Sequence, residues 1–143
     1  FFQTGYNKLS SLNLGNFKTS SVTDMNRMFA SCKELISLNL KIFKTSSVKD
    51  MKNMFFSLKK LTSLDLSNFD TSSGINMNRM FAGCSRFISL NLNNFRTPVV
   101  EDMGQMFDNC PKLISLNIDN FDTLKVTDMS NMFSDCTSLI SLN

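Results

Sequence analysis

The sequence predicts an α/β repeat protein, a solenoid with one short parallel strand and one short helix in each 26-residue coil. Three patterns predict it. Leu9 returns every 26 residues as Leu35, Leu61, Phe87, Leu113 and Leu139, with no insertion or deletion. Ser11-Leu12-Asn13-Leu14 returns at Ser37, Ser63, Ser89, Ser115 and Ser141. Asp24-Met25, followed by Met28-Phe29, returns at Asp50, Asn76, Asp102 and Asp128. A fixed period of this length marks a stack in which each repeat buries its apolar face only against its neighbours.

Within a coil, Leu9, Leu12 and Leu14 form an L-x-x-L-x-L pattern whose last two members alternate as a strand requires. Parallel pairing of these strands would place neighbours ~4.8 Å apart. Phe17, repeated as Phe43, Phe69, Phe95 and Phe121, turns the chain inward. The Thr19 column (Thr45, Thr71, Thr97, Thr123) supplies hydroxyls for backbone groups at a bend. Asp24 stands at a helix N-cap position, and Met25, Met28 and Phe29 at i, i+3 and i+4 predict about two helical turns. Val22 recurs as Val48, Val100 and Val126, but the third full coil has Gly74, which predicts a gap that Ile75 swings in to fill.

The chain has 143 residues, five periods and 13 residues more. It is expected to form one segment over 1–143, about five and a half repeats of a longer array. The composition is that of a folded domain, with 42% hydrophobic and 19% charged residues, and no run approaches the ~18 apolar residues of a membrane span. A net charge of +3 conceals a gradient: residues 1–96 carry 13 Lys/Arg and 5 Asp/Glu, residues 97–143 carry 2 and 7. Raw coil cross-sections are expected at both ends, Phe2 and Tyr6 at one, Leu139 and Leu142 at the other. The expected state in isolation is a monomer with at most weak, salt-sensitive end-to-end association.

The chemistry is sparse. There is no His, no nucleophile elbow and no phosphate loop, so no catalytic residue and no cofactor are expected. All ten Met fall in M-x-x-M pairs at helical spacing, which reads as core packing. Cys32, Cys84, Cys110 and Cys136 share one column with Leu58. A position that accepts Leu is apolar, and no C-x-x-C pair offers a zinc site, so reduced, buried thiols are expected and no metal. Lys41, Lys44, Lys49, Lys52, Lys59 and Lys60 lack interleaved aromatics and read as a solvated face, not a nucleic-acid site.

Outward strand positions are the candidate interface. They comprise the columns Ser37, Ser63, Ser89, Ser115 and Asn39, Asp65, Asn91, Asn117, flanked by Ile36, Ile88 and Ile114. The Asn column is expected to hydrogen-bond along its own ladder, and the Ile column either to be partly buried or to form an apolar stripe for a partner.

Leu61-Thr62-Ser63-Leu64-Asp65-Leu66-Ser67-Asn68-Phe69-Asp70-Thr71 and Val126-Thr127-Asp128-Met129-Ser130-Asn131-Met132-Phe133-Ser134-Asp135-Cys136 resemble the repeat of the BspA-like leucine-rich-repeat surface proteins. The resemblance runs the length of the chain, departing at Gly74-Ile75-Asn76 and Leu58. It implies a right-handed leucine-rich-repeat-like solenoid and a bacterial or protist protein that is extracellular or at the cell surface, with signal and anchor outside this segment. It also implies a non-catalytic module for protein binding, cell adhesion or ligand binding, its partner a protein or host-surface ligand. A structural stalk, spacer or filament component is the alternative.

Overall fold

Backbone N–H groups of one repeat donate to carbonyls of the next repeat rather than to those of a helical turn. The computed structural model describes residues 8–142, so the expectations placed on Phe2 and Tyr6 lie outside it. Met25, Arg27, Phe29 and Ser31 donate to the carbonyls of Asp50, Lys52, Met54 and Phe56 in the next coil at 2.7–2.9 Å. Met28, Ala30 and Cys32 donate backwards to Met25, Arg27 and Phe29 at 3.1–3.3 Å. Alternate residues thus serve the neighbouring coil and a chain of tight local turns. The same outward set recurs from Met51, Asn53, Phe55 and Ser57, and again in the two coils that follow.

This arrangement corrects the α/β expectation. The described residues contain no helix. Their strands are β1 (Ser89–Leu90), β2 (Ser115–Leu116) and β3 (Ser141–Leu142), paired in parallel in that order. The sheet is open, its edges not closed on one another, so the expected leucine-rich-repeat-like solenoid does not describe it. Ser89 pairs with Ser115 and Ser115 with Ser141, an offset of one repeat. A second parallel seam joins Asp24, Asp50, Asn76, Asp102 and Asp128 by single bridges.

The predicted helix fails at two residues per coil. Arg27, Asn53, Arg79, Gln105 and Asn131 adopt φ of 53–55°, and Ser31, Ser57, Asn109 and Asp135 adopt φ of 54–60°, with Gly83 at 72°. A left-handed residue ends any α-helix and costs roughly 1–2 kcal/mol where it is not Gly. The second column holds Ser, Gly, Asn and Asp, types suited to that conformation. An isolated two-turn helix is marginal in water, whereas each left-handed turn aims an N–H at a carbonyl of the next coil. Asp24 does cap, but it caps a turn: its Oδ1 accepts the Asn26 N–H at 2.7 Å, and Asp50, Asn76, Asp102 and Asp128 repeat the bond two residues on.

Two side-chain clasps complete the stack. The Thr45 hydroxyl donates to the Asp70 carbonyl and accepts the Asp70 N–H, both at 2.9 Å, and Thr19, Thr71 and Thr97 do the same 25 residues ahead. All four are at most 3% exposed, so each hydroxyl replaces water for a neighbour's backbone. In the other direction, Asn68 Nδ2 donates to the carbonyls of Leu40 and Phe43, and Asn94 Nδ2 to those of Leu66 and Phe69.

Inside, Phe29, Phe55, Phe81, Phe107 and Phe133 stack along the axis with centroids 5.5–5.8 Å apart and planes within 11° of parallel. Met and Leu columns surround them: eight of the ten Met are at most 3% exposed, while Met129 in the last coil is 49% exposed. At Gly74 the turn is unchanged, its N–H donating to Thr71 O at 2.9 Å as Val48 does to Thr45. The methyl of Met77 reaches within 3.1 Å of where a Cβ would stand. Met77, not Ile75, therefore fills the gap; Ile75 stays exposed.

Removing one clasp tests the stack. Thr71→Val keeps shape but strands the Arg96 N–H and C=O, and should cost about 1–3 kcal/mol by denaturant unfolding. Thr123 is exposed, with no following coil to hold among the described residues. Thr123→Val should change stability by less than about 0.5 kcal/mol. Equal losses would show that the hydroxyl acts only within its own coil.

Ile42 stands where Asn68 and Asn94 stand one and two coils later, sits 41% exposed and has no side-chain amide to donate to the coil before it. Ile42→Asn places an amide where Asn68 and Asn94 clasp, beside the Leu14 carbonyl, and removes exposed apolar surface. The variant should gain about 0.5–1.5 kcal/mol in the same assay. Unchanged or lower stability would refute the clasp.

Candidate binding face

The strand segments of successive coils lie in register, so their outward residues form rows along the stack. Ser37, Ser63, Ser89, Ser115 and Asn39, Asp65, Asn91, Asn117 are all exposed, while the intervening Leu64, Leu90 and Leu116 are at most 8% exposed. The paired strands align Ser89 with Ser115 and Ser141, and the same alternation of exposed Ser and Asn or Asp positions recurs at Ser37, Asn39, Ser63 and Asp65. Ile36, Ile88 and Ile114 are 63%, 53% and 43% exposed and Ile140 is 84% exposed, so all four stand at the surface and outside the core. Thr62 and Ser10, also exposed, complete that row. The Ile114 N–H donates to Ile88 O, and the Ile140 N–H to Ile114 O, both at 2.9 Å, so consecutive Ile residues are held one coil apart.

The Asn column departs from its expected ladder. Asn39 Oδ1 accepts the N–H of Lys41 at 3.1 Å, Asp65 that of Ser67, Asn91 that of Asn93 and Asn117 that of Asp119, each at 3.0 Å. These are Asx turns within one coil, favoured because the side-chain oxygen reaches its own backbone two residues on. The oxygen is thus committed to folding and the rest of the row to solvent. Ser67, through its hydroxyl and its N–H, holds the Asp65 carboxyl below the usual carboxylate range.

A shallow groove of about 620 Å³ opens along this face. Ile88, Ile114, Leu139 and Ile140 form its apolar part, and Lys112 lies on its margin. Lys112 belongs to a basic column that sequence reasoning missed. Lys8, Lys60, Arg86 and Lys112 stand two residues before positions 10, 62, 88 and 114 of the Ile stripe, and all four are exposed; Glu34 holds the place before Ile36. The signal was present at the 26-residue spacing, but it shows only when charges are compared down a column rather than as runs along the chain.

The Cys column is structural. All four thiols are free, three buried and Cys136 half-buried. Cys84 Sγ donates to Phe55 O at 3.2 Å, Cys110 to Phe81 O at 3.3 Å and Cys136 to Phe107 O at 3.0 Å, each reaching the preceding coil. Burial pushes the Cys84 thiol far up, with a smaller push from Cys110. Burial and then the neighbouring Cys136 push Cys110 up to about 12. Among the described residues no group of three or more His, Cys, Asp or Glu is arranged to hold a metal ion. No helix there is long and apolar enough to cross a membrane.

A family model described as "Mycoplasma protein of unknown function, DUF285" matches residues 1–113 and again residues 76–141. The chain belongs to the DUF285 family. That match, with the helix-free backbone and the open three-stranded sheet, corrects the resemblance to the BspA-like leucine-rich-repeat proteins and the architecture it implied. No curated protein and no solved structure matches the chain.

The raised thiol values of this DUF285 chain predict an alkaline weakness. An unfolded thiol ionises near its ordinary value of 9.0, whereas folded Cys84 and Cys110 keep their protons. Their contribution to stability is therefore complete below pH 9 and is lost progressively above it. Denaturant midpoints should hold level up to about 9 and then fall, with a gentler fall in Cys84→Ala. A variant whose midpoint falls as steeply as the parent would exclude the thiols as the cause.

Proposed function

We propose that this chain is a non-catalytic binding module, displayed at the cell surface, that engages a protein or other surface ligand through its strand face. The observation that carries the reading is the exposed Ile stripe running in register beside the Ser and Asn rows. Soluble proteins seldom expose apolar residues in a contiguous line unless something covers them, and repeat stacks offer extended faces of this kind to partners. The chemistry supports a non-catalytic role: the sequence has no His, and the Asp residues of the second seam are spent on Asx turns. The rows are uncharged apart from Asp65, which suits many weak contacts over steering by charge.

The test uses fluorescently labelled protein on intact cultured cells, comparing the parent with a Ser89→Tyr/Ser115→Tyr variant. Both substitutions stand on exposed positions and block the face without adding charge. Saturable binding by the parent, lost in the variant at an unchanged melting temperature, is the expected result. Absence of saturable binding, or equal binding by both, would favour the spacer or stalk alternative. Protease treatment of intact source cells tests display, which predicts digestion of the chain without lysis.

A further inference from the structure

The Ile stripe has a basic border that the Ser and Asn rows do not explain. Lys60, Arg86 and Lys112 precede positions 62, 88 and 114 of the stripe by two residues, and Lys33 and Lys59 precede the stripe by three. All five are exposed. One carboxylate stands in these two columns, Glu34, and Lys60 pairs with it at 2.6 Å. None of the seven acidic residues of 97–143 falls there; Lys112 does, and Thr137 and Ser138 hold the corresponding places in the last coil. Lys112 and Ile114 open on the same groove, which places the cations and the apolar row on one surface.

We infer that this edge docks on an anionic phospholipid surface, with Ile36, Ile88, Ile114 and Ile140 entering the interfacial layer and Lys60, Arg86 and Lys112 meeting lipid phosphates. The inference rests on the strand face being a binding surface and names what it binds. Two features favour a lipid surface over a polypeptide. Strand β2 is hydrogen-bonded on both sides, to β1 and to β3, so along β2 the face presents side chains and no ladder for an extended peptide. The apolar row is one residue wide and broken at Thr62, too narrow for the core of a protein interface. It matches the demand of a bilayer surface, where a thin apolar ridge enters the headgroup region and long cationic side chains snorkel to phosphate beside it.

Co-sedimentation with vesicles of phosphatidylcholine, with or without one third phosphatidylglycerol, tests this. The parent should bind the anionic vesicles, release at high salt, and leave the zwitterionic ones in suspension. Lys60→Gln/Arg86→Gln/Lys112→Gln should weaken binding by roughly a hundredfold, and Ile88→Ser/Ile114→Ser by roughly tenfold or more. Both variants should melt with the parent, because every site is exposed. Failure to bind anionic vesicles, equal binding to both vesicle types, or binding untouched by either variant would overturn the inference. Capture by polyglutamate without capture by vesicles would assign the edge to an acidic protein instead. If the vesicles fail while saturable cell binding persists, the lipid inference falls alone; if both fail, the binding-face reading falls with it.

Discussion

Each coil satisfies its buried backbone through its neighbour, and the rest of the structure depends on that constraint. The outward N–H groups of one Met–Phe segment reach carbonyls 25 residues ahead. The Thr hydroxyls reach the same distance, and the Asn amides reach back 25 and 28 residues. A buried N–H or C=O left without a partner costs about 1–3 kcal/mol. One inserted residue would unseat several such bonds at once, which is a physical reason for an unbroken 26-residue period. The Phe stack follows from the same register, since rings one repeat apart come to lie face to face at 5.5–5.8 Å.

The same constraint overrode the helix. Met25, Met28 and Phe29 at i, i+3 and i+4 point inward in an α-helix, but they also point inward in a run of tight turns. Apolar spacing alone does not separate the two. The deciding feature is the destination of the intervening N–H groups. In a helix they would return to the same segment; here Arg27 and Ser31 take left-handed φ and send them outward. Asp24 is a good cap in either case, because its carboxylate accepts a nearby N–H whether the next residues wind as a helix or a turn.

The binding face inherits its order from the stack. Side chains one repeat apart are neighbours, so a modest preference at one position becomes a row: Ser, Asn, Ile or Lys and Arg. The rows differ in availability. The Asn oxygens are occupied by Asx turns and the thiols by carbonyls of the preceding coil. The Ser hydroxyls, the Ile side chains and the basic column remain on the surface. A single interrupted column, as at Ile42 or Gly74, changes one interface locally without breaking the register on either side.

The repeat, the inward Leu, Met, Phe and Cys columns, the capping positions of the Asp and Asn residues and the outward Ser, Asn and Ile rows were legible in the sequence alone, though the caps were read as those of helices. Periodicity and polarity determine which residues face in and which face out. The tertiary structure decided what those residues build: turns in place of helices, three two-residue strands in an open sheet, Asx turns in place of an Asn ladder, and a cation row beside the stripe. The turns and the sheet depend on where a backbone or side-chain group finds its partner 25 to 29 residues away, whereas the Asx turns close two residues on. Local pattern cannot carry that information, because the competing local partner lies only three or four residues distant and has the same sequence preference.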